Sequence, residues 1–214
     1  HVVGFYPFAE LPAAELLTLR VLPGLLSQTR ETIPTPIEIR FRTVSAVRAG
    51  SLLINEVYAG AAPGDQAFVE LVNVTSETLN LEGVLLETKA APRAHVFGRV
   101  LLPSGAAVVI GASRPEEIRP SGGLPFLDSV LASERILLKV AGVASIEIVD
   151  EVDFSLSRVA SLLNRGESVT RETDAQTGDL RGGQHVLHSR ALGAVGSRSP
   201  GTRVNGIPFP TPLP

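Results

Sequence analysis

The chain has 214 residues, 44% hydrophobic and 19% charged, enough apolar material for one sizeable core or two small ones and too much for a disordered polymer. Its net charge of −3 excludes a global polyanion-binding surface, and the absence of Cys excludes thiol catalysis, Cys-based metal sites and disulfide support. Aromatics make up only 5%, with no Trp, so the core must be Val, Leu and Ile; 20 Gly and 16 Pro suit short strands joined by turns.

Residues 1–44 read as the end of a β module. His1–Phe8 is apolar and aromatic, Leu16–Leu22 is a strand candidate, and Ile37–Thr43 alternates strictly, the period of a half-buried strand. Ala9–Leu17 also admits a helix, because Ala, Glu and Leu favour one. Ser45–Gly50 is a short polar linker. Strands are then predicted over Leu52–Tyr58 and Phe68–Val74, separated by the turn-rich loop Ala59–Gln66. Leu79–Leu86 carries a bend at Gly83. Val96–Leu102 leads through a Pro103-Ser104-Gly105 turn into Ala106–Ile110, which predicts a hairpin. Ser113 and Glu116 have capping-box spacing, so one helical turn is expected near Ser113–Ile118. Arg135–Val140 and Ser145–Asp153 are two strands around Ala141-Gly142-Val143. Residues beyond Ser155 are rich in Gly, Arg and Ser and end in Pro208, Pro210, Pro212 and Pro214, an extended tail or linker.

Two resemblances follow from ordered sets of residues. Pro7, Leu11, the strand around Leu19, and Phe41 with Thr43 resemble the closing half of a bacterial immunoglobulin-like domain, although Ser27–Thr32 lacks the Asp and Gly-Asn usual in its loop. The second set is longer. It comprises Ile54-Asn55-Glu56-Val57, Phe68-Val69-Glu70-Leu71-Val72-Asn73, Leu79, Leu81, Gly83 and Leu85. Phe97 follows, then Leu102-Pro103-Ser104-Gly105 with the Val108–Ile110 strand, Ser161–Arg165, Ser199-Pro200-Gly201 and Asn205. In this order they resemble the lamin tail domain in its bacterial form, with Phe68 where the family usually has Trp. The resemblance implies an all-β chain: an immunoglobulin-like β-sandwich with an additional N-terminal β segment, and no catalytic residues. The expected organisation is residues 1–44 as the closing part of an immunoglobulin-like module, 45–50 as linker, 51–205 as the sandwich and 206–214 as a Pro-rich tail.

Some constellations invite a sharper reading. Glu56 shares a face with Ile54 if its strand alternates, and Glu70 shares one with Phe68 and Val72. If those strands pair, Glu56 and Glu70 come close enough for acid–base work, or for calcium with Asp65. The alternative is that each carboxylate accepts hydrogen bonds from loop amides or an Arg and fixes the sandwich. The second is the expectation, since similar residues accompany this fold where no catalysis is implied; no cofactor is expected, and calcium remains the alternative. His185 and His188 are three apart, but flanking Gly182-Gly183 and Ser189-Arg190 suggest a loop, with His95 distant, so no metal site is expected. Asn73-Val74-Thr75 is formally a glycosylation sequon, read as coincidental.

Charge is uneven: Arg158 to Arg203 holds seven Arg against Glu167, Glu172, Asp174 and Asp179, a local +3, leaving −6 for the remainder. A solvated basic face is the expected meaning, because no aromatic interleaving for base stacking accompanies it; nucleic acid is not an expected partner. Lys89 and Lys139 are the only lysines among 19 basic residues, a skew toward Arg that suggests a GC-rich coding sequence and hence a bacterium. A chain without Met, even at position 1, is expected to be a mature form, a fragment or a trimmed product. No apolar run approaches a membrane span. The reading is a non-catalytic extracellular or cell-surface module, structural or adhesive, with protein partners or self-association. The alternatives are an accessory domain of a secreted hydrolase and a nucleic-acid-binding module.

Overall fold

The computed structural model describes residues 7–8, 11–12, 15–24, 32–58, 67–88, 91–112, 117–119, 135–141, 145–153, 166–174 and 184–212. The chain divides into two compact units, His1–Ser45 and Ala46–Pro214. No α-helix occurs among the described residues.

In the first unit β1 (Leu16–Val21) and β2 (Ile37–Arg42) form an antiparallel pair. Its register sets Leu17 opposite Phe41, Leu19 opposite Ile39 and Val21 opposite Ile37, so one face is wholly apolar. The other carries Leu16 and Arg42, Thr18 and Arg40, and Arg20 and Glu38, the last pair 3.6 Å apart. The Thr43 hydroxyl accepts from the Glu15 amide at 2.9 Å and donates to the Pro12 carbonyl, tying the entry of β1 to the exit of β2. Leu16 and Leu17 are therefore strand and not helix; residues 9, 10, 13 and 14 of the helical alternative lie outside the described residues.

β3 (Ser45–Ala46) spans the boundary between the units. The second unit then runs β4 (Leu52–Tyr58), β5 (Phe68–Asn73), β6 (Leu79–Asn80), β7 (Leu85–Thr88), β8 (Ala91–Val96), β9 (Leu101–Leu102), β10 (Ala107–Ile110), β11 (Arg135–Ala141), β12 (Ile146–Asp153), β13 (Val169–Arg171) and β14 (His185–Leu187). A five-stranded sheet has the order β10-β5-β4-β13-β14 and a four-stranded sheet the order β12-β11-β7-β8; all of these pairings are antiparallel. The two enclose an aliphatic core. Ile54, Val57, Val69, Leu71, Val108 and Ile110 of the first meet Leu86, Ile136, Leu138, Val149 and Val152 of the second. This is the immunoglobulin-like sandwich expected from the sequence, closed by aliphatic burial of alternate residues.

One expected hairpin is absent. The Pro103–Ala106 turn forms, with the Ala106 amide on the Pro103 carbonyl at 3.1 Å and Gly105 at φ 69°. It does not pair the segments it joins: β9 bonds β6, whereas β10 bonds β5, so the turn carries the chain from one sheet to another. Of the helical turn expected near Ser113–Ile118, residues 113–116 lie outside the described set, and Ile118 forms a parallel bridge to Ile110.

Candidate functional site

The centre of the five-stranded sheet is buried on both faces, with every residue of β4 and β5 enclosed. The face away from the core is covered by the segment 195–212. Phe209 packs there on Leu53, Val72 and Ala107, and the Ala107 amide donates to the Pro210 carbonyl at 3.1 Å. The Pro-rich residues thus lie along the sheet edge up to residue 212 and do not leave the domain as a tail.

Beneath this segment Glu56 and Glu70 are direct cross-strand partners, both fully buried. Strict alternation would turn Glu56 inward beside Ile54. A β-bulge between Ile54 and Glu56 prevents that: Ile54 faces Leu71, Glu56 faces Glu70, and Ile54 and Val57 both reach the core. The extra residue, Asn55, also meets Glu70, its amide donating to Glu70 Oε1 at 2.8 Å. So the expectation that Glu56 shares the face of Ile54 is corrected by one inserted residue. Side chains also serve the backbone of Ile54 beside the bulge. Asp150 accepts from its amide at 2.7 Å, while Arg171 Nε and His185 Nε2 reach its carbonyl at 3.0 Å. Arg171 and Asp150 pair with each other at 2.7 Å.

Both glutamates bind loop amides. Glu56 accepts from the Ser199 amide at 2.9 Å, the Ser199 hydroxyl at 2.8 Å and the Ser168 hydroxyl. Glu70 accepts from the Gly201 amide at 2.6 Å. A further carboxylate, not singled out by the sequence reading, completes the set: Asp174, fully buried, accepts from the Val204 amide at 2.6 Å and from Asn55 at 3.2 Å. Asn55 Oδ1 has no hydrogen-bond partner among the described residues.

The sequence Ser199-Pro200-Gly201 explains how two neighbouring carboxylates are served. The Thr202 amide closes on the Ser199 carbonyl at 2.8 Å and Gly201 has φ 78°, a type II turn with Pro and Gly in their preferred places. Pro200 has no N–H, so the turn presents one amide to Glu56, skips a residue and presents the next to Glu70.

Charge in this enclosed space is unfavourable. Burial pushes Glu56 up to about 7 against the opposing pull of Ser168 and Ser199, with Asp174 adding to the rise. Burial and then the Glu56 charge raise Glu70 well above the usual carboxylate range. Asp174 is raised by burial, while Val204, Asn55 and Arg203 draw it back.

Asp65, the third calcium candidate, lies outside the described residues. Glu56 and Glu70 are brought together, but amide and hydroxyl donors occupy the carboxylate oxygens a cation needs, and no group of three metal-ligating residues occurs among the described residues. The histidine pair is placed differently from a loop: His185 is in β14 and His188 opens a short 3-10 turn, fully buried. Burial and Arg171 push His185 down to about 4. His95 is buried in β8 with its ring edge-to-face on Phe97 at 4.4 Å, and burial lowers it to about 4. The arginines expected on a solvated basic face are in part structural: Arg171 is buried, Arg198 lies over the Tyr58 ring at 4.5 Å, and Arg203 lies over Phe209 at 4.7 Å. A groove of about 370 Å³ lies beside β10; its lining among the described residues includes Val100, Val109, Ile118, Phe209 and Pro210 with Arg99.

An immunoglobulin-like sandwich whose buried acids are committed to backbone amides is a class of domain that presents surfaces. The Lamin Tail Domain family model matches residues 45–173, more than half of the chain, and the chain belongs to that family, a family of non-enzymatic, protein-interaction domains. No curated protein and no solved structure matches it. Ser199, Gly201 and Val204 lie beyond the matched residues, yet they close the network that Glu56 and Glu70 begin. No helix among the described residues is long and apolar enough to cross a membrane.

Proposed function

We propose that this chain is a non-catalytic structural or adhesive module of the extracellular or bacterial cell surface, and that its first unit associates with another chain. The supporting observation is the apolar face of the β1–β2 pair, which is in part exposed. Leu17, Leu19, Val21, Ile37, Ile39 and Phe41 line one side, and Ile37 and Ile39 remain 45% and 49% exposed. Among the described residues the pair has two strands, and such a pair with a partly exposed apolar face gains by acquiring an opposing layer or a further strand. That fits a segment of a larger assembly in which another chain supplies the missing layer.

In the sandwich the buried acids are engaged by amide and hydroxyl donors, which supports a structural role for them, and the cofactor we propose for it is none. Light scattering of the full chain beside a truncated chain beginning at Ser45 tests the association. The full chain is expected to grow in mass with concentration and the truncated chain to remain a monomer. Two equally monodisperse monomers of equal stability would remove the reading.

A further inference from the structure

The segment 195–212 is attached to the sheet chiefly through acids. Ser199, Gly201 and Val204 each give a backbone amide to a different buried carboxylate; Phe209 on Leu53, Val72 and Ala107, the Pro210 and Ser197 carbonyls, Arg198 over Tyr58 and Arg203 on the Asp174 carbonyl add to the attachment. Glu56 and Glu70 oppose each other directly across the ladder, a position where like charges repel, and both are fully buried.

We propose that residues 195–212 form a proton-dependent strap, closed over Leu53, Val72 and Ala107 while Glu56 keeps its proton beside Glu70 and Asp174, and lifted as Glu56 ionises.

Closed, the strap keeps the carboxyls dry and protonated; open, it readmits water and returns them toward ordinary acidity. The closed state therefore binds more protons between about pH 4.5 and about pH 7, and raising the pH through that range favours opening. Glu56 contributes to this shift in the direction of opening as pH rises. The other ionisable groups around the cluster do not reverse this. On β12 and β13, Asp150 and Arg171 pair with each other. His185 on β14, pushed down to about 4, is neutral throughout the upper part of the range. His188, packed against Ser168, is lowered by burial, with Gly196 and Glu167 acting upward. From the strap itself, Arg198 lies over Tyr58, and Arg203 donates to the Asp174 carbonyl.

The absence of Trp makes the test direct, because Phe209→Trp supplies a single reporter beneath the strap. Its emission, excited at a wavelength that spares tyrosine, is followed from pH 5 to 9 with far-UV circular dichroism in parallel. The expected result is a reversible red shift centred near neutrality while the β signal holds, and its loss or displacement in Phe209→Trp/Glu56→Gln. Constant emission overturns the proposal. So does a red shift that coincides with loss of the β signal, a shift unchanged by Glu56→Gln, or a double variant red-shifted at every pH, which makes Glu56 an anchor without a proton role. Should Phe209→Trp not fold, amide exchange in the unsubstituted chain decides. After correction for intrinsic rates, peptides from 195–212 are expected to lose protection with pH while β5 keeps it; equal protection in both overturns the strap.

Discussion

Asn73 lies wholly inside the fold, and its amide donates to the carbonyls of Glu77, Leu102 and Pro103 at 2.7–2.9 Å while its own oxygen accepts from Thr75. The sequon is therefore an Asx turn that pins the exit of β5, and its nitrogen is unavailable to a glycan. Asn73→Ala strands buried carbonyls, and a loss of about 3 kcal/mol is expected from urea midpoints. Gly201 is a different kind of requirement. A Cβ there would meet nothing within 4 Å, so Gly201→Ala is opposed only by its left-handed φ, and a loss of about 1–2 kcal/mol is expected in the same assay. Both residues were legible as family markers in the sequence. Their physical reason was not, because it depends on partners far along the chain.

At the scale of the element, the bulge in β4 governs the site. Leu52–Tyr58 and Phe68–Asn73 are readable as strands from their β-branched and aliphatic runs, and their pairing follows from adjacency. An inserted residue leaves no mark in such a run, so alternation sends Glu56 to the wrong face. Asp150 is the counterpart of that irregularity, holding the Ile54 amide and Arg171 together. Asp150→Ala removes the acceptor of the buried Ile54 amide and the ion-pair partner of Arg171, and a destabilisation of about 3 kcal/mol is expected. The titration of the folded chain follows from the same enclosed groups. Glu56, Glu70 and Asp174 keep protons that the unfolded chain releases, so they stabilise at low pH and that contribution is lost as pH rises, for Glu56 from about 4.5 through about 7. His95 and His185 act oppositely, their contribution present above their ordinary value of 6.5 and lost as pH falls toward about 4. The two trends offset each other between about 4.5 and 6.5. Thermal midpoints are thus expected to change little there and to fall from pH 6.5 to 8, with a shallower fall in Glu56→Gln. A steady rise of the midpoint up to pH 8 contradicts the protonated cluster.

Across the whole molecule, composition and punctuation were enough to indicate short strands around an aliphatic core, and the ordered motifs were enough to indicate the lamin tail sandwich. The C-terminal segment was harder to read, because Pro and Gly at close spacing describe an extended chain equally well whether it runs free or lies on a sheet. Phe209 decided the matter, one aromatic among prolines that finds Leu53, Val72 and Ala107. The same limit applies to the first unit, where alternation in Ile37–Arg42 located an apolar face without showing what covers it. Sedimentation velocity across a concentration series, comparing the unsubstituted chain with Ile37→Ser/Ile39→Ser, tests that face most directly. The unsubstituted chain is expected to sediment faster as its concentration rises, and the variant to sediment as a monomer throughout with its sandwich intact. A concentration-independent monomer in both, or the same association in both, contradicts an interaction module built on this face.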